Sequence, residues 1–135
     1  MRRAYVLDAN AVLDFLESNP GSERVERLFQ DSRDQKATLL ISVANWGEVF
    51  YHVWQGHGEE EARRSLANLS RIPIERVPVD EQQALQAGEI KALHNIPYVD
   101  SLAAALALLR QAALVTSDHD FVKLGRRVPV VWIRR

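Results

Sequence analysis

The stretch RAYVLDANAVLDFLES, residues 3–18, decides the fold. Arg3 to Leu7 is a short run of β-forming residues that stops at Asp8, and Val12, Leu13, Phe15 and Leu16 then recur at helical spacing. The same order of strand, polar residue and helix returns downstream. ATLLIS, Ala37 to Ser42, reads as a buried strand, and Ser42 is placed to cap a helix whose apolar stripe is Trp46, Val49, Phe50, Val53 and Trp54, ended by Gly56 and Gly58. Between these two units, Asn19, Pro20, Gly21 and Ser22 break the chain, and Val25, Leu28 and Phe29 mark one face of a surface helix. Glu59 to Leu69 continues as a charged amphipathic helix, and the alternation and prolines of Ile72 to Val79 suit a short or edge strand.

Asp80 is placed to cap a helix from roughly Glu81 to Leu93, which ends at His94-Asn95. Pro97 opens a further helix, apolar nearly all round, that runs to about Ala112. ALVTSD, Ala113 to Asp118, is then a strand, HDFVKLG a helical turn, and Val128 to Ile133 a last strand. Strands that alternate with helices and are continuous apolar runs indicate a sheet covered on both faces. The expected fold is therefore α/β, a three-layer α/β/α sandwich with a central, mostly parallel sheet. Ligands bind such sheets beyond the carboxyl ends of the strands.

The 135 residues suit one domain, residues 1–135, with 47% hydrophobic and 26% charged side chains. Cysteine is absent, which excludes disulfides, thiolate metal sites and cysteine nucleophiles and leaves oxygen or imidazole to hold any metal. The opening MRRAYVLDAN has too short an apolar stretch for a signal-peptide core, so a cytoplasmic protein is expected. The longest apolar run, Leu102 to Leu109, is far below the ~20 residues that span a bilayer, so no membrane association is expected. The formal net charge of −1 is neutral with respect to nucleic acid.

Asp8 ends the first strand and Asp118 the fourth, Asp100 lies in the first turn of the Pro97 helix, and Glu48 lies in the helix after the second strand. Each acid alone has a plain explanation: the aspartates sit where aspartate favours a helix N-terminus, and Glu48 suits a surface ion pair. Taken together, all four map to one edge of the sheet. Two like charges ~4 Å apart repel by about 4 kcal/mol at an effective dielectric near 20, so converging carboxylates need protons or a cation. All-oxygen ligation selects Mg2+ or Mn2+, ions that act on phosphates.

VLDANAVL, ISVANWGEV, IPYVDSLAAALA and LVTSDHDF resemble, in order and spacing, the four acidic motifs of PIN domains, most nearly those of VapC-type toxin ribonucleases. The resemblance covers nearly the whole chain. It implies a metal-dependent endoribonuclease in which Asp8, Glu48, Asp100 and Asp118 form the catalytic, metal-binding set, with Asp8 placed to touch both ions if two bind. It further implies that Asn10 fixes the first aspartate by hydrogen bonding, that Thr116 supplies a supporting hydroxyl and that Asp120 is an accessory acid. Ala9 departs from the threonine or serine usual at its position. An RNA substrate, a cognate VapB-like antitoxin and a homodimer are the partners implied.

Two other functions compete. Asp8-Ala9-Asn10 follows a first strand as the DxD motif of haloacid dehalogenase-like phosphohydrolases does, although Asn10 stands where that chemistry needs an acid. A PIN-like module that binds RNA or protein without cutting is the non-enzymatic alternative. His119, between two aspartates, suits either a phosphate contact or a solvent-facing loop position. Arg126, Arg127, Arg134 and Arg135 suit either an RNA backbone or terminal solubilising charge. The spacing of Trp46, Phe50, Tyr51 and Trp54 argues for packing, against the sheet or against a partner.

Overall fold

The computed structural model describes residues 2–134. Its elements are β1 (Arg3–Leu7), α1 (Ala9–Leu16), α2 (Ser22–Arg33), β2 (Ala37–Ser42), α3 (Val43–His57), α4 (Glu59–Leu69), β3 (Ile74–Val77), α5 (Glu81–His94), α6 (Tyr98–Leu109), β4 (Ala113–Thr116) and β5 (Val130–Trp132), with a 3-10 turn over His119–Leu124. The strands form one sheet in the order β3-β2-β1-β4-β5, and every pairing is parallel.

Both faces of that sheet are buried, which explains the unbroken apolar runs of β1 and β2. Val6, Leu40 and Leu114 pack with α5 and α6 on one side. Their neighbours Leu7, Leu39, Ile41 and Val115 pack with α1, α2, α3 and α4 on the other. The three-layer α/β/α sandwich expected from the sequence is the fold observed. No single helix among the described residues is long and apolar enough to cross a membrane.

The differences from the sequence reading lie at element ends. β3 is confined to four residues because Pro73 and Pro78, which carry no N–H donor, bracket it. Pro129 shortens β5 in the same way. α6 stops at Leu109 instead of near Ala112, because Gln111 adopts a left-handed φ of 52°. α3 runs through Gly56 and ends at Gly58, whose φ is 92°. Within α3, Val49 and Val53 are buried, whereas Trp54 is exposed with its ring edge-on to Phe50 and the Arg63 guanidinium 5.9 Å from its centroid.

Arg134 follows neither reading offered for the arginines. Its guanidinium pairs with the buried Asp14 and also donates to the Pro20 carbonyl at 3.0 Å. Arg24 donates to the Trp132 carbonyl, so the segment after β5 is clasped by α1 and α2. Arg127 pairs with Glu89, and Arg135 lies outside the described residues. Gly21, at φ 101°, passes so close that a Cβ there would sit 2.6 Å from the Ile133 carbonyl oxygen. Gly21→Ala is expected to destabilise the fold by about 1–3 kcal/mol, read as a lower urea midpoint at unchanged slope.

Candidate active site

The strand order reverses at β1: the chain builds outward through β2 and β3, then returns to place β4 on the opposite flank of β1. The crevice beyond the carboxyl ends of β1 and β4 is thus the topological switch point of the sheet. Asp8 follows β1 there and Asp118 lies just beyond β4. The first turn of α6 brings Asp100, and α3, leaving the carboxyl end of β2, brings Glu48.

Asp8 is 1% exposed and fully committed to hydrogen bonds. One oxygen accepts the Ala11 N–H at 2.8 Å, capping α1, and the other accepts the Thr116 hydroxyl. The Thr116 oxygen in turn accepts the Asp118 N–H at 2.9 Å, so one threonine couples both acids. Asp118 caps the 3-10 turn through the Asp120 N–H at 2.9 Å, and its second oxygen accepts from the Asn10 amide at 3.4 Å. Asn10 therefore orients Asp118 and not Asp8, contrary to the role that the resemblance implies. The oxygens of Asp8 are already engaged by Ala11 and Thr116, and the Asn10 amide reaches across the crevice instead.

Among the described residues, Asp100, Asp118 and Asp120 form a group in which one carboxylate oxygen from each lies within 4.8 Å of the others. Asp120, expected only as an accessory acid, belongs to this trio. Asp8 lies beside it, close enough to feel the charges of Asp100 and Asp118. Glu48, half-buried on α3, acts on Asp100 and Asp118 through its charge without joining the three. Burial above all, then the neighbouring carboxylates, pushes Asp100 up to about 7. Asp8 is also pushed up to about 7, mainly by burial and against the lowering effect of its hydrogen bonds. Burial raises Glu48, while the Tyr51 hydroxyl, donating at 3.5 Å, and His52 oppose the rise. A site in which Asp8, Glu48 and Asp100 resist losing their protons suits a hard divalent cation, because the ion removes the mutual repulsion and its preferred ligands are oxygens.

Asn45 carries a role that the sequence did not reveal. Fully buried in α3, it accepts the Ala9 N–H at 3.2 Å and donates to the Val99 carbonyl at 3.4 Å, tying the start of the Asp8 helix to the start of the Asp100 helix. Its presence inside ISVANWGEV is the only sequence signal, since both partners are backbone atoms distant in the chain. Asn45→Ala leaves the buried Ala9 N–H unpaired and removes the tie to the Val99 carbonyl, and a loss of about 1–3 kcal/mol in denaturant unfolding is expected.

His119 is exposed, and its ring lies against that of Trp132 with centroids 5.8 Å apart and planes 19° from parallel. The geometry of Asp8 disfavours a phosphohydrolase that forms an aspartyl intermediate, since a nucleophile there would be shut from solvent with both oxygens occupied.

The sequence profile of the PIN domain matches residues 5–127, and the chain belongs to the PIN-domain family. No curated protein matches the sequence. Similar solved structures include VapBC2 of Rickettsia felis bound to a promoter DNA fragment, at 19% identity and TM-score 0.73 over 95% of this chain and 97% of that one. VapBC-1 of nontypeable Haemophilus influenzae matches at 21% identity and TM-score 0.72, over 96% and 98% of the two chains. The sarcin-ricin loop cleaving toxin VapC20 of Mycobacterium tuberculosis matches at 16% identity and TM-score 0.70, over 90% and 95%. At these identities the likeness is one of fold.

Proposed function

We propose that the chain, acting as one PIN-like unit over residues 1–135, is an Mg2+- or Mn2+-dependent endoribonuclease and the toxin of a VapBC-type toxin–antitoxin pair. The observation that carries this reading is the group of Asp100, Asp118 and Asp120, set at the switch point of the sheet with Asp8 and Glu48 beside it. Resemblance to VapBC toxins along nearly the whole chain supports the toxin assignment and a VapB-like antitoxin partner. A cytoplasmic location, where both RNA and antitoxin are met, accords with that role. The exposed Tyr51 and Trp54 on α3 favour a homodimer.

A bound Mg2+ or Mn2+ lowers the pKa of a water and offsets charge developing on the phosphate. Asp100, Asp118 and Asp120 would hold it. Asp8 and Glu48 would complete the negative field beside it. Thr116 and Asn10 keep Asp118 from turning away, and Asn45 fixes the separation of α1 and α6.

Incubation of the purified protein with cellular RNA should give internal cuts in Mg2+ or Mn2+ and none in EDTA. Cutting that persists in EDTA would remove the metal from the reading. Binding without cutting in either ion would return the chain to the class of non-catalytic RNA-binding modules.

A further inference from the structure

We propose that the stacked pair His119–Trp132 is a nucleobase platform, which holds the base of a single-stranded RNA nucleotide beside the carboxylates. The inference rests on the ribonuclease reading and adds to it a base-binding subsite.

His119 opens the 3-10 turn, between two of the three clustered acids, so a nucleotide whose phosphate lies at the carboxylates brings a base within reach of it. Its imidazole is backed on one side by Trp132 and is exposed overall. Trp132 is itself anchored. It pairs in register with Thr116, the residue that fixes Asp8 and Asp118, and it packs on the sheet face covered by α5 and α6. The carbonyl of Trp132 is held by Arg24, and Arg134 is locked two residues on. Trp132 is therefore tied to the strand that leads into Asp118, and His119 sits in the turn that carries Asp118 and Asp120.

A flat ring, supported from behind and open in front, is what sequence-tolerant recognition of unpaired bases uses, because every base has a π-face. Cationic groups on the same segment suit the backbone on either side of the stacked base. Lys123 lies on the 3-10 turn, 4.0 Å from Asp120, and Arg126 is exposed just beyond it.

The test uses a short single-stranded oligoribonucleotide bearing one 2-aminopurine, bound to the full chain in Ca2+, with wild type, His119→Ala and His119→Phe compared. Stacking quenches the probe. We expect quenching by wild type and by His119→Phe, and its loss in His119→Ala with a Kd roughly 5- to 150-fold weaker. An abasic residue in place of the 2-aminopurine should weaken wild type by a similar factor and leave His119→Ala unchanged, a coupling that mere loss of folding would not give. Equal affinity and quenching in wild type and His119→Ala, or no RNA binding by wild type, overturns the platform. Cutting by wild type with no effect of His119→Ala on binding removes the platform alone. Stacking that depends on His119 without metal-dependent cutting keeps the platform and removes the nuclease.

Discussion

Asp100→Asn is expected to make the metal-free protein more stable at pH 8 while lowering metal-dependent RNA cleavage by roughly a thousandfold or more. The two effects have one cause. In the folded chain Asp100 titrates at about 7, raised by burial and by Asp118, Glu48 and Asp120, whereas an unfolded aspartate titrates near 3.8. Below about pH 4 both states carry the proton and nothing is lost. Between about pH 4 and 7 the unfolded chain ionises first, so stability falls as pH rises, and above 7 the loss is complete. Asp8 titrates in the same range and adds to the fall in the same direction. Asparagine mimics the protonated acid and is never ionised. The variant should match wild type at pH 3.5 and exceed it at pH 8 by about 1 kcal/mol after allowance for solvent screening, some 4 °C in Tm. Mg2+ or Mn2+ should reverse the order, because wild type gains from binding an ion that the variant holds poorly. Thermal melts at both pH values, with and without metal, read the whole pattern. Equal melting of the two proteins at pH 8 without metal, or undiminished cleavage, would contradict the electrostatic account.

Arg134→Ala is expected to lower folding stability by about 2–4 kcal/mol, more than Asp14→Asn, although both break the same ion pair. The asymmetry follows from exposure: the Asp14 side chain is 6% exposed and that of Arg134 36%. Freed Arg134 reaches water. Freed Asp14 stays buried as an anion with the Asn19 amide at 3.2 Å as its remaining side-chain partner, and that is the costly state. Asp14→Asn should therefore lose only about 1–2 kcal/mol, and adding it to Arg134→Ala should recover part of the larger loss. Urea unfolding of the two single variants and the double one measures this coupling. Strict additivity would mean that the pair contributes nothing as a pair.

The fold was legible where burial on both sides of the sheet writes itself into the sequence. β1 and β2 have the bounds read from RAYVL and ATLLIS, since no charged residue, glycine or proline interrupts either run between its first residue and the strand end. Asp8, Asp118 and Asp80 were legible as caps because a helical turn follows each at once. What stayed hidden depends on which strand lies beside which. Nothing near Asp14 in the sequence points to its partner, because the arginine it pairs with lies 120 residues on. Asn45 could be given no role, because its partners are the backbone of residues 9 and 99, and the true target of Asn10 is 108 residues away. That Asp120 would stand closer to Asp100 and Asp118 than Asp8 does is likewise set by the 3-10 turn and not by motif spacing.

The bond from Thr116 to Asp8 spans 108 residues. A ribosome has added more than a hundred residues after Asp8 before that hydroxyl exists, and the earliest strand must wait at the centre of an unfinished sheet with one flank bare. Pairings of such long range form late and slowly. A nascent chain would thus carry its first acid from the outset yet have no assembled pocket until β4 has emerged, so that a product interrupted before Thr116 would lack the pocket.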